Sequence, residues 1–206
     1  MSQGAWRQVL TLLGGAGLAQ AIALAASPLL TRLYAPEHFG VFALFASLVT
    51  LIATVATGRY ELAVILPASD AEAWQVVKLA LGIAVPVTAL TLLAVALGGN
   101  ALAERAGDPR LAVWVWLLPV AVLITALINT LTVWANRRQD YGALAVNRVA
   151  QSGVTATASV GLGAAGWASP GLMLGSVIGQ AGAAWLLVAR RPRGQGEASG
   201  ATLVEL

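Results

Sequence analysis

The chain has 206 residues, 58% of them hydrophobic and 10% charged, with 12 Lys+Arg against 9 Asp+Glu and a net charge of +3. Soluble domains run about 45–50% apolar and about 25% charged, so this composition excludes an ordinary soluble enzyme, a disordered tail and a nucleic-acid-binding domain. The pI near 10.0 comes from a small excess of scattered basic residues, without the dense run that grips a nucleic-acid backbone. Cysteine is absent and histidine occurs once, so no disulfide, thiol nucleophile, metal site or cofactor is expected. What remains is a polytopic membrane protein.

A spanning helix needs about 20 mostly apolar residues. Six stretches qualify, over about 9–30, 41–58, 76–97, 111–134, 143–165 and 172–189. The first contains Gly14-Gly15-Ala16-Gly17, which lacks the Gly-Lys-Ser/Thr ending of a phosphate loop and is read as thinning the helix. Ala23-Leu24-Ala25 mimics a signal-cleavage site, but the apolar run continues to Leu30, so this span is expected to be retained. Turn signals follow at Ala35-Pro36, with His38 read as a solvated loop residue, and then at Pro67-Ala68-Ser69-Asp70, Gly107-Asp108-Pro109 and Ser169-Pro170-Gly171. Pro28, Pro86 and Pro119 fall within spans one, three and four, where each removes a backbone donor and can bend its helix. The seven tryptophans lie at or near span ends, the headgroup layer that amphipathic rings prefer. The stretches are too long, and too little alternating, for barrel strands.

Orientation follows from Lys and Arg. With the N-terminus inside, Arg7, Arg59, Lys78, Arg137, Arg138, Arg190, Arg191 and Arg193 are cytoplasmic, against Arg32, Arg105 and Arg110 outside. The expected fold is all-α: one bundle of six transmembrane helices over residues 1–191 with both termini cytoplasmic, then a Gly/Ser-rich tail over 192–206.

Small residues recur every fourth position as Gly171, Gly175, Gly179 and Ala183 on the sixth span, and as Gly153, Thr157, Gly161 and Ala165 on the fifth. Such rows let helix backbones approach closely, whether as a sliding contact in a transporter or as plain bundle packing. Arg148 lies six residues past Gly142, about 9 Å along a helix. With Gln151, Ser152, Thr155 and Ser159 it forms one polar face. This face either lines an aqueous lumen that attracts an anion, or lets Arg148 snorkel to the headgroups while the hydroxyls bond their own helix. Gln20, Asn129, Asn147 and Gln180 are read as buried amides. All nine carboxylates fall in connections, tails or span ends. A proton relay or a site for cationic drugs would need one at mid-membrane, so an internal cavity would favour an anion such as a phosphorylated lipid headgroup. No catalytic constellation is present.

Several segments resemble the bacterial polysaccharide-biosynthesis flippases, the O-antigen and exopolysaccharide exporters of the multidrug/oligosaccharidyl-lipid/polysaccharide exporter superfamily. The most specific runs from Ser27-Pro28 through Thr31-Arg32-Leu33-Tyr34-Ala35-Pro36 to Phe39-Gly40 and Phe45. The others are Arg59-Tyr60-Glu61 to Pro67, Trp134-Ala135-Asn136-Arg137-Arg138 with Asn147-Arg148, and Gly175 to Gln180. The resemblance implies movement of an oligosaccharide on undecaprenyl diphosphate across the bacterial cytoplasmic membrane, by alternating access between two six-helix bundles around a cationic lumen. The chain then resembles the N-terminal half of such a protein, and its tail a truncated linker between bundles. Arg148, Arg59 and Arg32 occupy motif positions, and with Asn147 and Gln20 they are the candidate substrate-binding residues. Expected partners are the lipid-linked oligosaccharide, membrane lipids, a second half or another copy, and polysaccharide polymerase or glycosyltransferases. The alternatives are a drug or metabolite antiporter of the same superfamily and a non-transporting scaffold for assembly enzymes.

Overall fold

The computed structural model describes residues 3–105 and 114–189. Within them the chain forms six long helices and no strand: α1 (Gln3–Leu33), α2 (Pro36–Ala56), α3 (Asp70–Arg105), α4 (Leu117–Arg137), α5 (Tyr141–Ala164) and α6 (Ser169–Ala189). A 3-10 helix (Tyr60–Ile65) lies between α2 and α3. All but α5 are long and apolar enough to cross a membrane. The difference in α5 is chemical, since it carries Asn147, Arg148, Gln151, Ser152, Thr155, Thr157 and Ser159.

The helix limits have local causes. Pro36 sits in the first turn of α2, where its missing N–H costs no bond. The Ala35 N–H donates to His38 Nδ1 at 3.2 Å, so His38 caps this turn and is not the free loop residue expected. Ser69 Oγ accepts from the Glu72 N–H before α3, and Asp140 Oδ1 accepts from the Ala143 N–H before α5; both are ordinary N-caps. Pro28 and Pro86 lie inside continuous helices. Pro119 does not interrupt a span: α4 begins at Leu117, and the proline falls in its first turn. Gly58 and Arg59, with φ of 58° and 62°, turn the chain out of α2 through the left-handed region. The Gly107-Asp108-Pro109 turn, Arg110, Arg190, Arg191, Arg193 and the tail lie outside the described residues.

Three apolar clusters hold the bundle together. Phe45 and Val49 of α2 meet Val95, Leu118, Met173 and Val177. Ala53 and Ala56 meet Ala84, Val122 and Ala126, where small side chains bring α2, α3 and α4 close. Val64, Ala73, Val77 and Trp134 pack the 3-10 helix against α3 and α4. Among the described residues, none of these clusters includes a residue of α1 or α5. Instead α5 lies between α1 and α6 and packs extensively against both.

Glycines make that arrangement possible. A Cβ at Gly175 or Gly179 would collide with Ser159 Oγ or Thr155 Oγ1, and one at Gly15 would come within 2.7 Å of the Ala145 Cα. The row on α6 therefore packs against α5. The row expected on α5 does not answer it: Gly153 and Gly161 have open space, Thr157 and Ala165 are exposed, and the row faces away from both neighbours. The α5 residues that meet α6 come from the polar side of the helix, because only short hydroxyls and backbone fit against its glycines.

Aromatic pairs mark the two ends of the bundle. Trp74 and Trp134 meet edge to face at 5.1 Å beside Arg138, whose guanidinium lies 5.9 Å over the Trp134 ring. At the other end Trp114 and Trp167 stand 6.1 Å apart.

Candidate functional site

The polar face of α5 opens onto a groove of about 520 Å³. One wall is Arg148, Gln151, Ser152, Thr155, Ala156 and Ser159 of α5. The other is Ala16, Ala19, Gln20, Ala23, Ala26 and Leu30 of α1. The groove exists because α1 offers mostly methyl groups at spacings of three and four, the period of one helix face, while α5 offers short polar side chains. From Arg148 to Ser159 it runs eleven residues, about 16 Å of helix rise.

Arg148 stands at one end of this wall. It is exposed and has no hydrogen-bond or ion-pair partner among the described residues. The ion pair found there is Arg137 Nε to Asp70 Oδ1 at 3.3 Å, elsewhere in the bundle. No described carboxylate lines the groove; Glu37, Glu61, Asp70, Glu72, Glu104 and Asp140 sit at helix ends or in the 3-10 helix. The groove thus presents one uncompensated cation followed by amides and hydroxyls. Such a surface favours an anionic group at the Arg148 end, held by charge-assisted hydrogen bonds that a guanidinium donates in pairs. Beyond it, the Gln20 and Gln151 amides can exchange hydrogen bonds with a neutral, hydroxyl-rich extension, and Ser152 Oγ, which already donates to the Ala19 carbonyl, can accept one.

The five candidate binding residues separate in space. Arg148 and Gln20 share the groove. Asn147 points the other way: it is buried, and its Nδ2 donates to the Ala183 carbonyl at 2.6 Å, tying α5 to α6. Arg32 is exposed in the last turn of α1, and Arg59 is exposed at the start of the 3-10 helix; neither lines the groove. Of the other amides, Gln180 Oε1 accepts from Thr125 Oγ1 at 2.6 Å, whereas Asn129 and Gln20 are exposed rather than buried. Ser152 Oγ donates to the Ala19 carbonyl at 2.7 Å and so joins the two walls. The alanine wall of α1 escaped the sequence reading. Its signal was the spacing of Ala16, Ala19, Ala23 and Ala26, but in a chain this rich in alanine the same pattern fits a lipid-facing helix.

No curated protein and no solved structure matches the chain at a significant level. The profile of a family described as "polysaccharide biosynthesis protein" matches residues 29–202, most of the chain. The match takes in the last turn of α1 and the whole of α2 to α6, and so the α5 wall of the groove but only Leu30 of its α1 wall, on a bundle with five helices of membrane-crossing length and hydropathy. The chain belongs to the polysaccharide biosynthesis protein family and is a multi-pass membrane protein of that process.

Proposed function

We propose that the chain is a flippase bundle that moves an undecaprenyl-diphosphate-linked oligosaccharide across the bacterial cytoplasmic membrane, as a transporter and not as an enzyme. In this reading all six helices span, with both termini in the cytoplasm. Helix α5 crosses despite its polarity because its polar side faces the groove and α6, so that water or substrate solvates what lipid cannot. A second bundle, supplied by another chain or another copy, closes the groove from outside and gives the substrate two alternating exits.

The observation that carries this reading is Arg148: an arginine within an apolar bundle, unpaired, heading a wall of neutral hydrogen-bonding groups. An intramembrane cation is costly enough to mark a substrate path by default. Its chemistry suits a diphosphate, and the rest of the wall suits sugar hydroxyls. The absence of a carboxylate from the described lining disfavours an exporter of cationic drugs.

The test is Arg148→Ala in the cell that makes the protein, scored by surface polysaccharide against the amount of protein in the membrane. Loss of most surface polysaccharide at unchanged protein level is expected, with partial retention in Arg148→Lys, which keeps the charge without the paired donors. Unchanged polysaccharide in Arg148→Ala would sink the proposal. Cation-dependent drug efflux from vesicles would replace it with the antiporter reading.

A further inference from the structure

Past the two ends of the groove, α1 meets α5 in different ways. Near Arg148, α1 approaches α5 backbone to backbone at Gly15 and Ala145. One turn beyond Leu30, the last groove residue on α1, Tyr34 makes contact through its side chain. Tyr34 is 2% exposed, and its hydroxyl donates to the Ser159 carbonyl at 2.7 Å. Ser159 is itself the last α5 residue of the groove wall.

The slot that receives Tyr34 is made by two glycines. A Cβ at Gly163 of α5 would lie 2.8 Å from the ring carbon Cε2, and one at Gly171 of α6 would collide with the hydroxyl. His38 and Phe39, at the start of α2, meet the ring edge to face at 6.3 and 6.2 Å. One side chain therefore joins four helices, whereas among the described residues α1 packs chiefly against α5. Burial raises the Tyr34 phenol above its ordinary value of 10.0, so the hydroxyl remains a proton donor throughout the physiological range.

We infer that Tyr34 is a latch on the groove: its hydroxyl on the Ser159 carbonyl, in the Gly163–Gly171 slot, seals the end opposite Arg148, and its release opens that end. Tyr34 is then a positioning residue, acting through α1 and Ser159. Its bearing on transport rests on the flippase reading; its effect on access to the groove does not.

The chain lacks cysteine, so one introduced cysteine reports one place. Ala26→Cys lies toward the latch and Ala16→Cys toward Arg148. Maleimide labelling of each is measured in the full chain in membranes, with Tyr34 intact and with Tyr34→Phe, which keeps the ring and loses the bond. Labelling at position 26 should rise by about 2- to 10-fold, the population change that loss of one ordinary hydrogen bond produces, while labelling at position 16 stays unchanged. No change at position 26, or an equal rise at both positions, overturns the latch. If Tyr34→Phe fails to accumulate, Gly163→Ala, which pushes the ring from its slot, decides the question by the same two rates. Polysaccharide export is scored separately, so a failed latch leaves the flippase proposal standing, and the reverse.

Discussion

Two arginines, eleven residues apart, do opposite things in this bundle. Arg137 closes α4 and is consumed by the fold. Its side chain is 13% exposed and bonds Asp70 at the start of α3. It also donates to the carbonyls of Val64 and Ile65, which end the 3-10 helix. Arg148 on α5 has no protein partner among the described residues and faces open space. The surroundings differ in the same sense. The region around Arg137 is sealed by Val64, Val77, Trp74 and Trp134, whereas among the described residues α1 and α5 stand outside the three apolar clusters and meet through glycine, alanine and hydroxyls. A cation whose donors are satisfied by carbonyls and a carboxylate fastens helices. A cation left unsatisfied in an apolar bundle fastens nothing, and its role in binding an anion is what the flippase proposal puts to the test.

The comparison can be broken at graded points. The largest effect is expected at Gly179→Val, which forces a branched side chain into Thr155 on α5. Overpacking of this kind costs about 1–3 kcal/mol or more, read as a fall in thermal stability of the purified protein in detergent. Gly153→Ala, on the open side of α5, is the control and should be near neutral. Next comes Arg137→Ala, which strands two carbonyls and Asp70. Charged hydrogen bonds are worth about 1.5–3 kcal/mol each, but Asp70 is 42% exposed, so a total near 2 kcal/mol is expected. Smaller is His38→Ala: loss of the cap on the Ala35 N–H should cost about 0.5–1 kcal/mol. The smallest is Arg148→Ala, within about 0.5 kcal/mol of the parent because nothing in the bundle leans on it. A fall as large as that of Arg137→Ala would erase the distinction between the two arginines.

Much of the helical layout was readable along the chain because apolar length and turn residues are local properties. Ser69 and Asp140 start helices through bonds to residues three away, and Pro36 through its fixed φ in the first turn, none of which needs a tertiary contact. The polar face of α5 was legible for the same reason, since Arg148, Gln151, Ser152, Thr155 and Ser159 coincide on one side at the helical period. His38 was misread because a capping imidazole and a solvated one have the same sequence surroundings. Pro119 was misplaced because the apolar stretch begins before the helix does.

By itself, then, the sequence determined a helical membrane protein, a polar side on α5 and the placing of the described carboxylates at helix ends or in the 3-10 helix. These follow from composition and from period. The tertiary structure alone decided which cation is clasped and which is free, because Asp70 and the Val64 and Ile65 carbonyls lie more than sixty residues from Arg137. It also decided that the glycines of α6 meet the hydroxyl side of α5 rather than its matching small row, and that Tyr34 finds its slot 125 residues away at Ser159. Period shows which residues share a face of a helix. Only the packing of a second helix shows what that face meets.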